Sequence, residues 1–348
     1  NLSKSAYALH FDAGLAAQYL AAYAISKGVF HLKDEVVNVD LTPSEFIGEL
    51  RLASGQTIAA DFFIDASGSH GLLIDKAMAV EYENWSQYLP ADTAVVIQSE
   101  LTEKLSPYTT ATAHEHGWRW EIPLQHRMGN GYVFSSQFVS KSKAAEQLID
   151  NLGSNPCNDP RFIHFRTGKR QKIWYNNCLA VGLSSGFLEP LESTSIYLAM
   201  KGILHFVQML PNSLMAPVTI NEYNRLMDLE YESIRDFIVL HYCISQRTDS
   251  EFWQYWKDVK IPDSLHEKIH YFKSQGRLLK NPLDLFSTDS WYAVFEGMGM
   301  RPHDYDHSVD ASDFAKVKQI LRIGLEGMRN TVQALPTHMH YITQYIQP

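Results

Sequence analysis

Phe62-Phe63-Ile64-Asp65-Ala66-Ser67-Gly68 decides how the rest of the chain is read. Three apolar residues suit a short buried strand, and the polar, small residues after them suit a turn at that strand's carboxyl end, where open α/β sheets bind ligands. Upstream, Glu35 to Leu41, Glu45 to Leu52 and Thr57 to Ile64 carry the alternating or β-branched pattern of strands, with Ser54-Gly55 as a turn. Before them, Asp12 to about Lys27 reads as a helix: Asp12 is the N-cap, Gly28 the stop, and Leu15, Tyr19, Leu20 and Tyr23 share one apolar face. A helix followed by such strands predicts an α/β beginning. Downstream, Thr93 to Val139 is strand-like and predicts a second sheet, and the chain then turns helical over Phe187 to Leu210, Asn221 to Cys243 and Ala315 to Gln333. The expected fold class is α/β (α+β), with mixed sheets first and a mainly helical carboxyl lobe.

Composition narrows the function. The chain has 348 residues, 45% hydrophobic and 20% charged, enough for a large core in two lobes. No apolar run approaches the roughly 20 residues of a membrane-spanning helix, so no membrane partner is expected. A formal net charge of -9 argues against nucleic acid; a local basic patch around Arg166, Lys169, Arg170 and Lys172 is the one exception the sequence offers. Cys157, Cys178 and Cys243 show no metal or disulfide spacing, so no metal site and a reducing, cytoplasmic setting are expected. The first residue is Asn1 rather than Met, and residues are expected to precede it.

Chemistry concentrates after Leu179-Ala180-Val181. Gly182-Leu183-Ser184-Ser185-Gly186 reads as a turn between that strand and a helix starting near Phe187, where unpaired backbone N–H groups and the helix dipole favour an anionic or polarised ligand. A purely structural glycine turn fits equally well. The next run, Leu188-Glu189-Pro190-Leu191-Glu192-Ser193-Thr194-Ser195-Ile196, crowds two carboxylates, a proline and three hydroxyls at one helix start. Ordinary capping chemistry is the competing account of it.

Glu189-Pro190-Leu191-Glu192-Ser193-Thr194 resembles the signature that follows the second flavin-contacting turn in flavin-dependent tryptophan halogenases. Trp118-Arg119-Trp120-Glu121-Ile122-Pro123 matches that family's W-x-W-x-I-P motif and runs on into Gly131-Tyr132-Val133-Phe134-Ser135-Ser136. The similarity extends over His10-Phe11-Asp12, Phe63 to Gly68, and Arg235-Asp236-Phe237 through His241-Tyr242, nearly the whole chain.

The resemblance implies a flavin monooxygenase-like cofactor lobe with mixed sheets plus a helical substrate lobe. Boundaries fall at 1–90 and 175–205 for the cofactor lobe, 91–174 for a β-rich substrate-facing sheet and 206–348 for the helical lobe. It implies that FADH2, supplied by a separate flavin reductase, and oxygen convert chloride or bromide to hypohalous acid, which reaches an electron-rich aromatic such as indole or tryptophan. Glu192 carries over as the catalytic carboxylate, with Ser193 orienting it. Gly182, Gly186, Phe187, Pro190, Leu191 and Ser195 carry over to the flavin, and Thr194 and Ser195 to the halide; many relatives have glycine where Ser195 stands. Trp118 and Trp120 are read either as a screen between substrate and flavin or as core aromatics. Phe286 is the candidate substrate wall before Ser290-Trp291-Tyr292-Ala293-Val294. The segment Leu278 to Asp284 lacks the tyrosine-rich, acidic lid of tryptophan-specific members, which favours bare indole or another electron-rich aromatic. Phe252, Trp253 and Trp256 read by default as packing.

The family's G-x-G-x-x-G and its catalytic lysine lie upstream of the first match at Tyr7 to Asp12, and Lys76 does not replace that lysine. The chain by itself is therefore expected to bind flavin poorly. A homodimer is a further expectation. Two other functions stay open: an aromatic flavin monooxygenase, against which Glu192 and the tryptophan motif argue, and a non-catalytic flavoprotein scaffold.

Overall fold

The computed structural model describes residues 8–102, 105–211, 215–279 and 284–345. The first helix, α1 (Ala13–Ser26), starts where its cap predicts: the Asp12 carboxylate accepts from the N–H groups of Gly14 and Leu15, at 2.9 and 3.2 Å. Its apolar face does not enter the core. Leu15, Tyr19, Leu20 and Tyr23 are all more than half exposed; the ties at the start of α1 are Arg127 to Asp12 (2.9 Å) and His10 Nδ1 with the Pro123 carbonyl (2.9 Å).

Three strands follow as an antiparallel meander, β1 (Val36–Leu41), β2 (Ile47–Leu52) and β3 (Thr57–Ala59). The expected strand from Thr57 to Ile64 breaks after Ala59, and a separate β4 (Phe63–Asp65) enters another sheet. After β4 come a π-helical turn at Leu72–Ala77 and β5 (Tyr82–Asn84). The strand-rich middle forms the second sheet: β6 (Thr93–Ser99), β7 (Thr110–His114), β8 (Gly117–Pro123) and β9 (Met128–Phe134), covered by α2 (Lys141–Asp150) and completed by β10 (Arg161–His164). Its strand order is β10-β6-β9-β8-β7, antiparallel at each pairing.

The chain returns through β11 (Gly168–Arg170), β12 (Trp174–Tyr175), β13 (Cys178–Ala180) and β14 (Gly186–Phe187). β13 runs parallel to β4, pairing Leu179 with Ile64 and Ala180 with Asp65, so both strands end side by side. The turn after β4, which the sequence marks as a place for a ligand, thus lies beside the turn after β13. Asp65 binds its own turn: one oxygen accepts from the N–H and hydroxyl of Ser67 (3.0 and 2.6 Å), the other from the N–H groups of Leu73 and Ile74 (2.8 and 2.9 Å). The Ser184 hydroxyl donates to the Asp65 carbonyl at 2.5 Å and locks the second turn to the first.

Helices complete the chain: α3 (Thr194–Gln208), α4 (Pro217–Cys243), α5 (Glu251–Asp258), α6 (Asp263–Gln275), α7 (Thr288–Gly297), α8 (Phe314–Ala334) and α9 (His338–Tyr345). The long α4 starts on Pro217, whose missing N–H costs nothing at a first turn. It carries Tyr223, Met227, Tyr231, Ile234, Phe237, Ile238 and Leu240 into the main core, with Leu179, Trp174, Phe252 and Trp256. Phe252, Trp253 and Trp256 are buried packing residues, as read from their spacing.

Two expectations fail here for physical reasons. The helix read from Phe187 begins at Thr194: Gly186-Phe187 pairs with Gly168-Lys169 as strand, and Glu192 and Ser193 take left-handed backbone angles (φ 65° and 55°) that no helix continues through. Nor do the four cations read as a basic patch stand free together: Arg166 and Lys172 are exposed, but the other two are not. The side chains of Lys169 and Arg170 are buried in ion pairs with Asp228 (2.7 Å) and Asp75 (2.9 Å), and Arg166 lies over the Tyr82 ring. Among the described residues no helix is long and apolar enough to cross a membrane.

Candidate active site

The turn Gly182 to Gly186 is held from below. The Arg170 guanidinium reaches the Ser184 carbonyl (3.3 Å), its backbone N–H donates to the Ser185 carbonyl (2.8 Å), and the Ser185 hydroxyl meets the Tyr231 hydroxyl of α4 at 2.9 Å. Gly182 sits at φ 71°, a backbone form that favours glycine. Gly186 is a case of close approach: a Cβ there would lie 2.6 Å from the Gly168 carbonyl oxygen. Above the turn a cleft of about 240 Å³ opens, lined by Gly182, Gly186, Phe187 and Ser195 and walled by Leu198, Met200 and Ile203. Four of the residues assigned to flavin from sequence thus border one largely apolar cleft. Pro190 and Leu191 do not line it and belong to the turn leading into α3.

That turn is strained. Consecutive left-handed conformations at two non-glycine residues cost on the order of 1–3 kcal/mol each and persist where the surroundings over-determine them. Their effect is to swing Glu192 outward, leaving its side chain 39% exposed with Oε1 3.3 Å from Nε2 of His241. Ser193, read as the group that orients Glu192, donates its backbone N–H to the Pro190 carbonyl at 2.9 Å and stands at the N-cap of α3 without capping it. The first N–H groups of α3 therefore have no side-chain cap, and the buried Thr194 hydroxyl beside them has no hydrogen-bond partner. Such a helix start attracts an anion.

Glu189, three residues before Glu192, lies at the centre. It is fully buried, and one carboxylate oxygen accepts from the Trp118 indole N–H at 3.0 Å and the Tyr242 hydroxyl at 2.5 Å. Its other oxygen has no partner. Burial pushes the Glu189 carboxyl up to about 7, against the lowering effect of Tyr242, Trp118 and the nearby His241. The three segments that carried the resemblance, at Trp118, Glu189 and Tyr242, meet in this one group. Trp118 is 6% exposed and its ring lies 5.8 Å from that of the half-buried Trp120.

From His241 the chain of contacts leads to Phe286. His241 Nδ1 lies 2.8 Å from the Phe237 carbonyl, and the two rings meet edge to face at 4.9 Å. The Phe237 ring stacks on Phe286 at 3.9 Å, and Phe286 borders a cleft of about 290 Å³ with Leu278, Lys268, Asp284 and Trp291. Lys268 Nζ lies 3.7 Å from Asp284 and 3.9 Å over the Trp291 ring. The shortened stretch at 278–284 lies partly, at 280–283, outside the described residues, as does Tyr7.

Sequence reading chose Glu192, Thr194, Ser195 and Phe286 but gave no role to Glu189, His241 or Tyr242. The signal for these three was their place in the strings that carry the family resemblance, which show no chemistry of their own until the chain folds. Lys76 is two-thirds exposed, paired with Asp75, and plays no part.

A family model described as tryptophan halogenase matches residues 1–313. The chain belongs to the tryptophan halogenase family. Tryptophan 7-halogenase RebH of Lentzea aerocolonigenes is 32% identical to it over 363 residues, covering 97% of this chain and 68% of that protein. BrvH, a flavin-dependent halogenase from Brevundimonas sp. BAL3, matches its fold with a TM-score of 0.92 at 39% identity, over 96% of this chain and 68% of its own. Xcc4156, a flavin-dependent halogenase from Xanthomonas campestris, gives 0.93 at 37% identity, over 97% and 68%. The chain spans 57 to 68% of the length of the first curated tryptophan halogenases it matches. These similarities bear out the α/β fold class and the family read from the two motifs.

The cleft at Gly182 is lined almost wholly by apolar surface, the kind of wall that a flat aromatic ring system such as a flavin's packs against.

Proposed function

We propose that this chain is the greater part of a flavin-dependent halogenase that places chlorine or bromine on an electron-rich aromatic ring. The observation that carries this reading is the meeting of Trp118, Glu189, Tyr242, His241 and Glu192 in one cluster, joined along the chain to the Gly182 cleft at Ser195 and through the Phe237 ring to Phe286 of the other cleft. Residues 1–90 and 175–205 form the cofactor side in this reading, 91–174 the sheet carrying the tryptophans, and 206–348 the helical substrate side.

Bound FADH2, delivered by a separate reductase, would supply with oxygen the oxidising power that turns halide into hypohalous acid. Gly182, Gly186, Phe187 and Ser195 would hold the ring edge, with Pro190 and Leu191 fixing the turn beside it. The uncapped start of α3, with the Thr194 hydroxyl and the backbone of Ser195, would hold the halide. Trp118, buried, and the Trp120 ring 5.8 Å from it would screen substrate from flavin.

At the far cleft Phe286 supplies the flat wall. Glu192, held outward by its left-handed backbone, takes the proton that the ring loses on substitution, the ordinary task of a positioned carboxylate. Indole or a similar bare aromatic is the substrate the shortened 278–284 segment favours. Free tryptophan is a second reading, favoured by the similarity to tryptophan 7-halogenase RebH.

The test uses the full-length protein with a flavin reductase, FAD, chloride or bromide, and indole and tryptophan in parallel, with products read by mass. A halogen isotope pattern supports the reading and selects the substrate; oxygen added without halogen makes the protein a monooxygenase instead. Glu192→Gln is expected to lower halogenation by roughly 10² to 10⁴ with the fold intact.

A further inference from the structure

Glu192 has a single polar partner among the described residues, and the geometry of that partner is informative. His241 sits in the last turns of α4, its imidazole largely buried. A carbonyl can only accept, so the 2.8 Å contact with the Phe237 carbonyl fixes a hydrogen on Nδ1. The neutral ring then presents a bare Nε2 toward Glu192 Oε1 at 3.3 Å. Two acceptors facing each other at that distance form a receptacle for one proton, on Nε2 as an ion pair or on the carboxyl as a donor to Nε2. The other ionisable groups close to His241 are the Glu189 carboxyl, which feels the imidazole's charge, and the adjoining Tyr242 hydroxyl that donates to it.

We propose that His241 is the positioning residue of Glu192 and the final holder of the proton that Glu192 removes. The inference rests on the halogenation reading for its chemistry. In the step, the C–H bond at the halogenated carbon breaks and its electron pair returns to the ring. The proton passes to a Glu192 carboxylate oxygen and from there to Nε2 of His241. Carboxylate and imidazolium result, and the Nδ1–H keeps its bond to Phe237 throughout. The same residue, Phe237, stacks on Phe286, so one turn of α4 sets the base and the aromatic wall together.

Two substitutions separate position from proton acceptance. His241→Gln can offer an amide N–H to Glu192 but cannot take a proton there; His241→Asn can bond the Phe237 carbonyl but does not reach Glu192. In the full-length enzyme with its reductase, both are expected to lower kcat by roughly 10²-fold, the scale of a lost acid–base partner, with KM and melting temperature close to wild type. A ring-deuterated substrate should then turn over more slowly than the protonated one by a margin larger than in wild type, because proton loss has become limiting. Full kcat in His241→Gln, or losses that follow KM and melting temperature in both variants, would overturn the proposal.

If wild type yields no halogenated product, the halogenase reading falls and the pair is judged on its own by nitrogen NMR of the His241 ring. Hydrogen on Nδ1 and a bare Nε2 whose resonance moves on Glu192→Gln sustains the shared-proton pair. Hydrogen on Nε2 of the neutral ring removes it.

Discussion

At Glu189 a single carboxyl makes the stability of the molecule depend on pH. Buried and with one oxygen unpartnered, it is better accommodated as the neutral acid, and its titration moves from the ordinary 4.5 up to about 7. Between these values the native protein holds a proton that the unfolded chain has released. Stability is therefore fully present below 4.5 and falls as pH rises, by about 1.4 kcal/mol per unit and on the order of 3 kcal/mol in all, levelling off above about 7. Glu189→Gln keeps the shape and an acceptor for Trp118 and Tyr242 but has no proton to lose. The stability of wild type relative to this variant, from denaturant melts, should fall between about pH 5 and pH 7.5, and parallel curves for the two proteins would refute the assignment. Nothing local in the sequence separates Glu189 from Glu192. The difference comes from Trp118 and Tyr242, which lie 71 and 53 positions away and dry one carboxyl while the other faces out.

The W-x-W motif has an equally concrete reason at the scale of a strand pair. Trp120 on β8 lies across from Gly131 on β9, and a Cβ on Gly131 would stand 2.0 Å from the indole ring. Gly131→Ala should then cost roughly 1–3 kcal/mol, as overpacking does, and alter the near-ultraviolet signal of the tryptophans. Gly129→Ala on the same strand, where the nearest atom is 3.6 Å away, should be close to neutral; equal effects at the two sites would mean that Trp120 does not lie on Gly131. Elements whose signals are local were legible in this way: the Asp12 cap, the Ser54-Gly55 turn, and the strand spacing of the second sheet. The start of α3 was not, because Gly186-Phe187 pairs with β11 and the left-handed Glu192 and Ser193 hold the run before Thr194 off the helix. The exposed face of α1 shows the complementary error, since periodicity marks an apolar face without saying whether this chain covers it.

Over the whole molecule, α4 joins the sheet to the site. At its start the Asn224 side chain accepts from the N–H groups of Ile173 and Trp174, both at 2.9 Å; midway Tyr231 supports the glycine turn; at its end His241 and Tyr242 reach Glu192 and Glu189. A helix so engaged should open only when the core opens, and the cysteines report on this. Cys157 is exposed, whereas Cys178 on β13 is buried and Cys243 closes α4, and burial pushes both of these thiols up to about 12. Thiolate is the reactive form, so near neutral pH a disulfide reagent should label Cys157 quickly and the other two slowly. Their labelling should accelerate together as denaturant is added, because β13 and the end of α4 share one core. Fast native labelling of Cys243 alone would show that the end of α4 frays independently, and the site built on His241 and Tyr242 would then have to form on substrate binding instead of standing ready in the fold.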